Sequence, residues 1–145
     1  MPSRIIITPK SKSEIDQYYS IRFKELREPW GQPRGTEKDS TDSTSIHRMV
    51  LFNKQGVAVG RLQYNSKFQA QIRYMAVKKE YQSQGFGALL INDLENIARL
   101  NGSNEIVLQS RDNAVSFYIN LNYQIVQKSH ILFGEIQHFL MRKYL

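Results

Sequence analysis

The sequence predicts an α/β fold: one domain in which helices pack on a mixed β-sheet. Three observations carry this. Apolar residues recur at three- and four-residue spacings in separate segments, the period of a half-buried helix. Between those segments lie short runs rich in Val, Ile, Tyr and Phe that alternate or run continuously apolar, as strands do. The two kinds interleave in the order βαβββαβαββ, which fits a mixed layered sheet. With 145 residues the default is a single domain spanning 1–145. A chain of this size buries roughly 68–70% of its unfolded surface, enough for a core without staples.

The elements follow in order. "RIIITP" reads as a first strand that Pro9 ends. From Ser13 to Glu28 the spacing of Ile15, Tyr18, Tyr19, Arg22, Phe23 and Leu26 predicts a helix, which Pro29 stops. Residues 31–45, "GQPRGTEKDSTDSTS", contain no aliphatic side chain and read as a loop, either filler or part of a binding mouth. With no apolar anchor, the loop is expected to be mobile. "IHRMVLFN" and "VAVGRLQYN" read as a hairpin turning at "KQG", Gly56 closing the turn. "AQIRYMAV" is a further strand; strict alternation puts Ile72, Tyr74 and Ala76 on one face and Arg73, Met75 and Val77 on the other. After "YQSQGFG" comes a helix with Phe86, Leu90, Leu94 and Ile97 on one stripe, closed by Asn101-Gly102. "EIVLQ" is a strand, and "RDNAVSFYINL" an amphipathic helix presenting Val115, Tyr118, Ile119 and Leu121. "YQIVQ" and "HFLMRKYL" are the last strands, joined through a loop containing Gly134.

Composition removes several function classes. The absence of cysteine excludes disulfides, thiolate zinc sites and cysteine nucleophiles. No run approaches the ~18 apolar residues of a membrane span. "MPSRIIITPK" has three consecutive apolar residues, unlike a secretory leader. A cytoplasmic protein without membrane attachment, monomeric or homodimeric, is the expectation. The net charge of +7 is lopsided: residues 1–80 carry 15 bases and 8 acids, residues 81–145 five of each. The bases are dispersed, which fits a solvated face first, a small polyanionic ligand next and nucleic acid last.

The glycine loop narrows the choice. A strand, a glycine loop and a helix N-terminus form an anion site, because the first helical N–H groups lack partners and carry the positive end of the dipole. The loop fits neither common nucleotide motif. Gly85 is followed by Phe86-Gly87-Ala88 with no lysine, so a Walker loop is excluded, and Leu90 stands where a dinucleotide fingerprint needs its third glycine. Read alone, the glycines also fit close packing of helix on sheet.

"QSQGFG" has the form Q/R-x-x-G-x-G/A, with Gln82, Gly85 and Gly87, followed by Ala88. About twenty-five residues on, "NAVSFYINLNY" places Asn113, Phe117, Tyr118 and Tyr123. These two segments, in register within the strand and helix order of the whole chain, resemble the GNAT superfamily of N-acetyltransferases. The resemblance implies the acyl-CoA N-acyltransferase fold, a mixed central sheet with a splayed strand and flanking helices, and acetyl-CoA as co-substrate with no metal. It implies that Met75, Ala76 and Val77 pair with the pantetheine arm. The amides of Gln82, Ser83, Gln84, Gly85, Phe86, Gly87 and Ala88 would wrap the pyrophosphate. Asn113 would hydrogen-bond pantetheine beside Phe117, and Tyr118 would protonate the departing thiolate. Lys79 stands where the family often has proline, and Asn122 where it often has glycine; asparagine is the non-glycine residue best suited to a left-handed backbone.

The implied reaction is acetyl transfer from acetyl-CoA to an amine acceptor, with no role for nucleic acid or membrane. It requires an oxyanion donor, for which a backbone N–H near Val77 is the candidate. It also requires a base, because a lysine-like amine is neutral in only about one molecule in 2,500 at pH 7. Glu28, His47 and Glu135 are candidates, with His138 beside them; each also has a purely structural reading, as does Tyr118 on its apolar stripe. Arg22, Arg27 and Arg34 lie where the family binds its acceptor, and read either as contacts to an acidic acceptor or as solvated side chains. Trp30 is either a lid or a core anchor. An acyl-CoA sensor without catalysis and a nucleic-acid binder using the basic half are the rival readings.

Overall fold

A capping box starts the first helix, α1 (Lys12–Leu26). The Ser11 hydroxyl accepts from the Glu14 N–H at 3.1 Å, and the Glu14 carboxylate accepts from the Ser11 N–H at 3.1 Å, so two otherwise unpartnered amides are satisfied. The computed structural model describes residues 3–145. Met1 and Pro2, the first residues of the expected 1–145 domain, lie outside the described residues. The helix ends two residues earlier than the spacing suggested, and Pro29 occupies a single 3-10 turn, Glu28–Trp30.

Seven strands form one sheet: β1 (Arg4–Ile7), β2 (Ile46–Phe52), β3 (Gln55–Tyr64), β4 (Gln69–Val77), β5 (Glu105–Arg111), β6 (Gln124–Leu132) and β7 (Ile136–Tyr144). Their spatial order is β1-β2-β3-β4-β5-β7-β6. Among the described residues only β4 and β5 run parallel. The other helices are α2 (Phe86–Leu100) and α3 (Val115–Asn120). Helix α1 packs on one face, where Tyr18 and Ile21 meet Met49, Val59 and Ala76. On the other face Leu90, Ile91, Leu94 and Ala98 of α2, with Tyr118 of α3, meet Val50, Leu62, Ile72, Ile106 and Leu108. Leu90 and Leu94 are wholly buried, and truncating such a leucine to alanine costs about 2–5 kcal/mol. Glu95 is buried among them; its carboxylate accepts from the Tyr123 hydroxyl at 2.9 Å and from Lys143 Nζ at 3.0 Å.

Several boundaries differ from expectation, each for a local reason. The hairpin between β2 and β3 turns at Asn53 and Lys54, both at positive φ, the conformation of a type I′ turn. Gly56 therefore lies inside β3, where a Cβ would stand 2.8 Å from Met49 Sδ. The last hairpin turns the same way at Phe133 and Gly134, so its strands are longer than "YQIVQ" and "HFLMRKYL". The expected helix over 111–121 is shorter, because Arg111 completes β5 and Asp112–Ala114 form a 3-10 turn. Ile119, expected on its apolar stripe, is exposed. Asn122 adopts φ +73°, the left-handed role foreseen for it.

Strand β4 departs from strict alternation. Arg61 pairs with Arg73 and Val59 with Ala76, so Tyr74 and Met75 together oppose Gly60. This is a β-bulge, with Tyr74 at φ +52°. The extra residue reverses the facing beyond it. Met75 and Val77 share the α2 side with Ile72, while Tyr74 and Ala76 turn to the α1 side. The predicted grouping of Ile72 with Tyr74 and Ala76 is therefore corrected. Gly60 suits this crowded position, since a Cβ there would lie 3.1 Å from Leu94 and 3.2 Å from Met75 Sδ.

The polar loop is anchored by charge where apolar anchors are missing. Arg22 and Arg61 are both completely buried. Arg61 Nη1 lies 2.6 Å from Asp39 and 2.7 Å from Asp42, and Arg22 Nη1 lies 3.1 Å from Asp42 and 3.0 Å from the Glu37 carbonyl. The reading of Arg22 as solvated is corrected, and the loop read as lacking anchors is tied to the core by these ion pairs. Two buried guanidiniums need carboxylates, and only this segment supplies them.

Candidate active site

Register alone opens the centre of the sheet. The parallel pairing of β4 with β5 runs from Gln69 opposite Glu105 to Ile72 opposite Leu108 and goes no further. Past the bulge at Tyr74, β4 stays paired with β3 as far as Val77 opposite Ala58, while β5 continues along β7 as far as Arg111 opposite His138. The two strands part, and a cavity of about 240 Å³ lies in the fork. Met75 and Tyr118 border it from the α2 side, Arg27, Arg73 and Tyr74 from the α1 side, and His130 and His138 from the terminal hairpin.

The glycine loop lies just beyond β4. Ser83 and Gly85 both have positive φ, +62° and +89°. Gly85 is the N-cap of α2 and offers no side-chain cap. The amide N–H groups from Ser83 to Ala88 have no acceptor among the described residues. Backbone amides grouped in this way at a helix start attract an anion. The Gln82 side chain donates to the Val77 carbonyl at 3.1 Å, and that of Gln84 to the Glu80 carbonyl at 3.1 Å. These bonds brace the loop against the strand end. The Phe86 ring is core, stacked edge-on against Phe52 and Tyr81.

The two glycines serve different ends. A Cβ at Gly85 would meet nothing within 4 Å, so its left-handed backbone is what excludes other residues. A Cβ at Gly87 would lie 3.0 Å from Phe117 Cζ and 3.5 Å from Val77. Phe117, Gly87 and Val77 are thus brought together. Asn113 is exposed on the 3-10 turn and, like Val77, Gly87 and Phe117, does not border the cavity. Ala76 joins the α1 cluster, so only its backbone is available to the fork.

Tyr118 is 7% exposed, and its ring packs against Phe117 and Tyr123. Burial drives its phenol pKa well above the ordinary value, and no hydrogen bond offsets this. The group stays protonated at neutral pH, its hydroxyl makes no hydrogen bond among the described residues, and the residue borders the cavity.

The base candidates separate cleanly. His47 is committed on both nitrogens. Its Nε2 donates to the Asp42 carbonyl at 2.7 Å, which leaves Nδ1 to accept from the Tyr18 hydroxyl at 2.7 Å. Glu28 and Glu135 are exposed and do not border the cavity. His138 does border it, and is 6% exposed. Its Nδ1 donates to the Ile136 carbonyl at 3.0 Å, a tautomer that leaves an unshared pair on Nε2. The ring stacks on His130 at 4.4 Å. Burial lowers the His138 pKa; the bond to Ile136 opposes the shift, and His130 and Arg111 reinforce it.

Arg111 was hidden from sequence reading, because it appeared to open a helix. It ends β5 on the cavity wall and stacks over Trp30 at 4.3 Å. Trp30 therefore holds a guanidinium. Arg34, read with the acceptor segment, instead lies over Phe23 at 4.5 Å. Among the described residues no cluster of His, Asp and Glu has metal-site geometry, and no helix is long and apolar enough to cross a membrane.

Comparison with known proteins gives a consistent picture. Residues 33–145 match the model of the acetyltransferase (GNAT) domain. The chain is 23% identical over 137 residues to the uncharacterized N-acetyltransferase YjcF of Bacillus subtilis, covering 94% of this chain and 97% of that one. An aminoglycoside 6'-N-acetyltransferase complexed with coenzyme A superposes with a TM-score of 0.80 at 16% identity, covering 97% and 96% of the two chains. A GNAT family acetyltransferase from Elizabethkingia anophelis with acetyl-CoA bound gives 0.79 at 14% identity, covering 99% and 98%. The mixed seven-stranded sheet is thus the acyl-CoA N-acyltransferase fold.

Proposed function

The chain belongs to the GNAT acetyltransferase family, and on that premise we propose that it transfers the acetyl group of acetyl-CoA to the amine of a small molecule or peptide. The observation that carries this is the run of unpartnered amides from Ser83 to Ala88 beside a fork in the sheet. In this reading the amides hold the pyrophosphate, and the splayed end of β4 from Met75 to Val77 holds the pantetheine arm. The thioester then reaches the cavity between Tyr118 and His138.

The chemistry divides between the two sides of that cavity. His138 Nε2 accepts a proton from the acceptor ammonium. The freed amine attacks the thioester carbon, and a backbone N–H near Val77 steadies the oxyanion. The C–S bond then breaks, and Tyr118 donates a hydrogen bond, and finally its proton, to the sulfur. As the amide forms, its nitrogen releases the second ammonium proton to solvent, which also returns a proton to Tyr118 and takes one from His138. A phenol with a raised pKa is a reluctant acid, so its contribution rises only as charge collects on sulfur, late in the step.

Two measurements test the reading. Acetyl-CoA at 100 times its Kd should add about 2.7 kcal/mol to stability, read as a thermal shift. Free CoA should appear when an amine acceptor is supplied. No shift at millimolar acetyl-CoA or CoA refutes the proposal. An acyl-CoA sensor is the second reading, favoured by one observation: among the described residues no carboxylate borders the cavity. A protein that binds acetyl-CoA but turns over no amine would be that sensor.

A further inference from the structure

The α1 side of the cavity is a cluster of cations. Arg27, Arg73 and Arg111 all border it, and no Asp or Glu does among the described residues. Arg73 has one long contact, 3.4 Å, to Asp39. Arg27 and Arg111 form no ion pair with a described residue; both donate to the same carbonyl, that of Leu26, at 2.9 and 3.2 Å. Arg27 Nε is further spent on the Thr36 carbonyl at 2.9 Å. The C-terminus of α1 offsets part of the repulsion, but a single carbonyl shared by two guanidiniums neutralises neither. The Arg111 pKa is lowered by burial and then by Arg27, as expected for like charges crowded without a counter-ion.

The guanidiniums are also held in place. Arg111 lies over Trp30 at 4.3 Å, and Arg27 lies over Tyr74 at 5.5 Å and Phe133 at 5.4 Å. Aromatic faces fix the plane of a guanidinium and leave its edge free. They stand on the α1 face, whereas the glycine loop leads into α2 on the opposite face. The phosphates of CoA are therefore not what these arginines meet.

We propose that the acceptor is a small amine bearing a carboxylate, which the free edges of Arg111 and Arg27 bind while its amine faces His138. The inference rests on the acetyltransferase reading above. Charge and geometry agree with it. A planar carboxylate matches the guanidinium fork, and a cavity of about 240 Å³ suits an amino-acid-sized molecule. Arg111 and His138 are register partners on adjacent strands, which sets the anion and the reacting amine a few bonds apart.

The experiment compares amino acids with their carboxamides and their decarboxylated amines as acceptors, by CoA release. The carboxamide has the more easily deprotonated amine, so intrinsic reactivity works against the proposal. The expected kcat/KM for the carboxylate exceeds that for its carboxamide by about tenfold or more, the worth of a charge-assisted hydrogen bond. Arg111→Gln or Arg27→Gln should bring that ratio toward one while the acetyl-CoA thermal shift persists. Lys67→Gln, an exposed change with the same loss of charge, should leave the ratio alone. Equal or better transfer to carboxamides overturns the proposal and leaves acetyl transfer standing. Acetyl-CoA binding with no transfer to any of these amines overturns it and favours the sensor. Neither binding nor transfer overturns both readings. An aminoalkylphosphonate in the same panel distinguishes a carboxylate site from a general anion site: preference for the phosphonate overturns the assignment to carboxylate.

Discussion

Gly87 lies beneath the ring of Phe117, so close that a Cβ on residue 87 would stand 3.0 Å from Phe117 Cζ. The first turn of α2 and helix α3 are locked at this point. Two residues earlier, Gly85 has open space around it and a φ of +89°. The two glycines of one motif should therefore fail differently.

Gly85→Val places a β-branched residue in a left-handed backbone, at a cost of about 1–3 kcal/mol. Because no side chain is displaced, the fold should survive while the amides lose their alignment and the acetyl-CoA thermal shift vanishes. Gly87→Ala pushes on Phe117 and Val77; overpacking of this kind costs about 1–3 kcal/mol. Its signature should be a lower melting temperature accompanied by weaker acetyl-CoA binding. A folded Gly85→Val protein with ordinary acetyl-CoA affinity would show that the loop is a packing device.

Tyr118→Phe removes a hydroxyl that has no hydrogen-bond partner among the described residues. Stability should hold or rise slightly, since nothing is orphaned. Turnover should fall by about 10²–10⁴-fold, the usual worth of general acid catalysis. The acetyl-CoA Kd should change by less than about tenfold, the loss of at most one neutral hydrogen bond. A kcat within threefold of the parent would assign Tyr118 to the core.

The His138 reading fixes a pH dependence. Burial lowers its pKa, with His130 and Arg111 adding to the shift and Asp112 opposing it; Arg27, Arg73 and Tyr118 border the same cavity. The neutral ring is the active form, so kcat/KM should fall on acidification only below the ordinary histidine value of about 6.5. His138→Gln should erase that limb and leave a rate that follows the neutral amine upward in pH. An unchanged acidic limb in His138→Gln would sink the assignment. Stability carries the same sign. Below about pH 6.5 the unfolded chain takes up a proton that the folded chain still refuses, so stability drops until the folded pKa is passed. His47, also lowered by burial, adds to the drop, so His138→Gln should shrink it without abolishing it, as urea midpoints at neutral and mildly acidic pH would show.

Asp42 stands between two buried guanidiniums, 3.1 Å from Arg22 and 2.7 Å from Arg61. Asp42→Asn leaves charge buried without its partner, a loss of about 3–5 kcal/mol. Hydrogen exchange over residues 37–45 should quicken in the variant and be slow in the parent. A loss under about 1 kcal/mol, against the usual cost of a broken buried pair, would mean that water reaches the arginines.

The sequence by itself determined the element order, the placement of the glycine loop before α2, and the family to which its motifs belong. Those features are local. A helical stripe or a glycine at a helix start is dictated by neighbours within a few positions, and spacing reveals them. The left-handed backbone at Asn122 was legible through the family resemblance, because asparagine stands there where glycine is usual.

Only the tertiary structure decided the rest. The bulge at Tyr74 depends on Gly60, fourteen positions away, and it alone reverses which face Met75 and Val77 present. Arg22 looks solvated in sequence and nothing there marks Arg61 as buried, because the carboxylates that let both be buried arrive from a loop that reads as mobile. Arg111 and His138 meet through strand register, across twenty-seven residues of chain. Periodicity records what each segment needs from a core. It does not record which distant charge, ring or glycine will satisfy that need, and in this protein the candidate base, the cation cluster and the fork that holds them all depend on such long-range pairings.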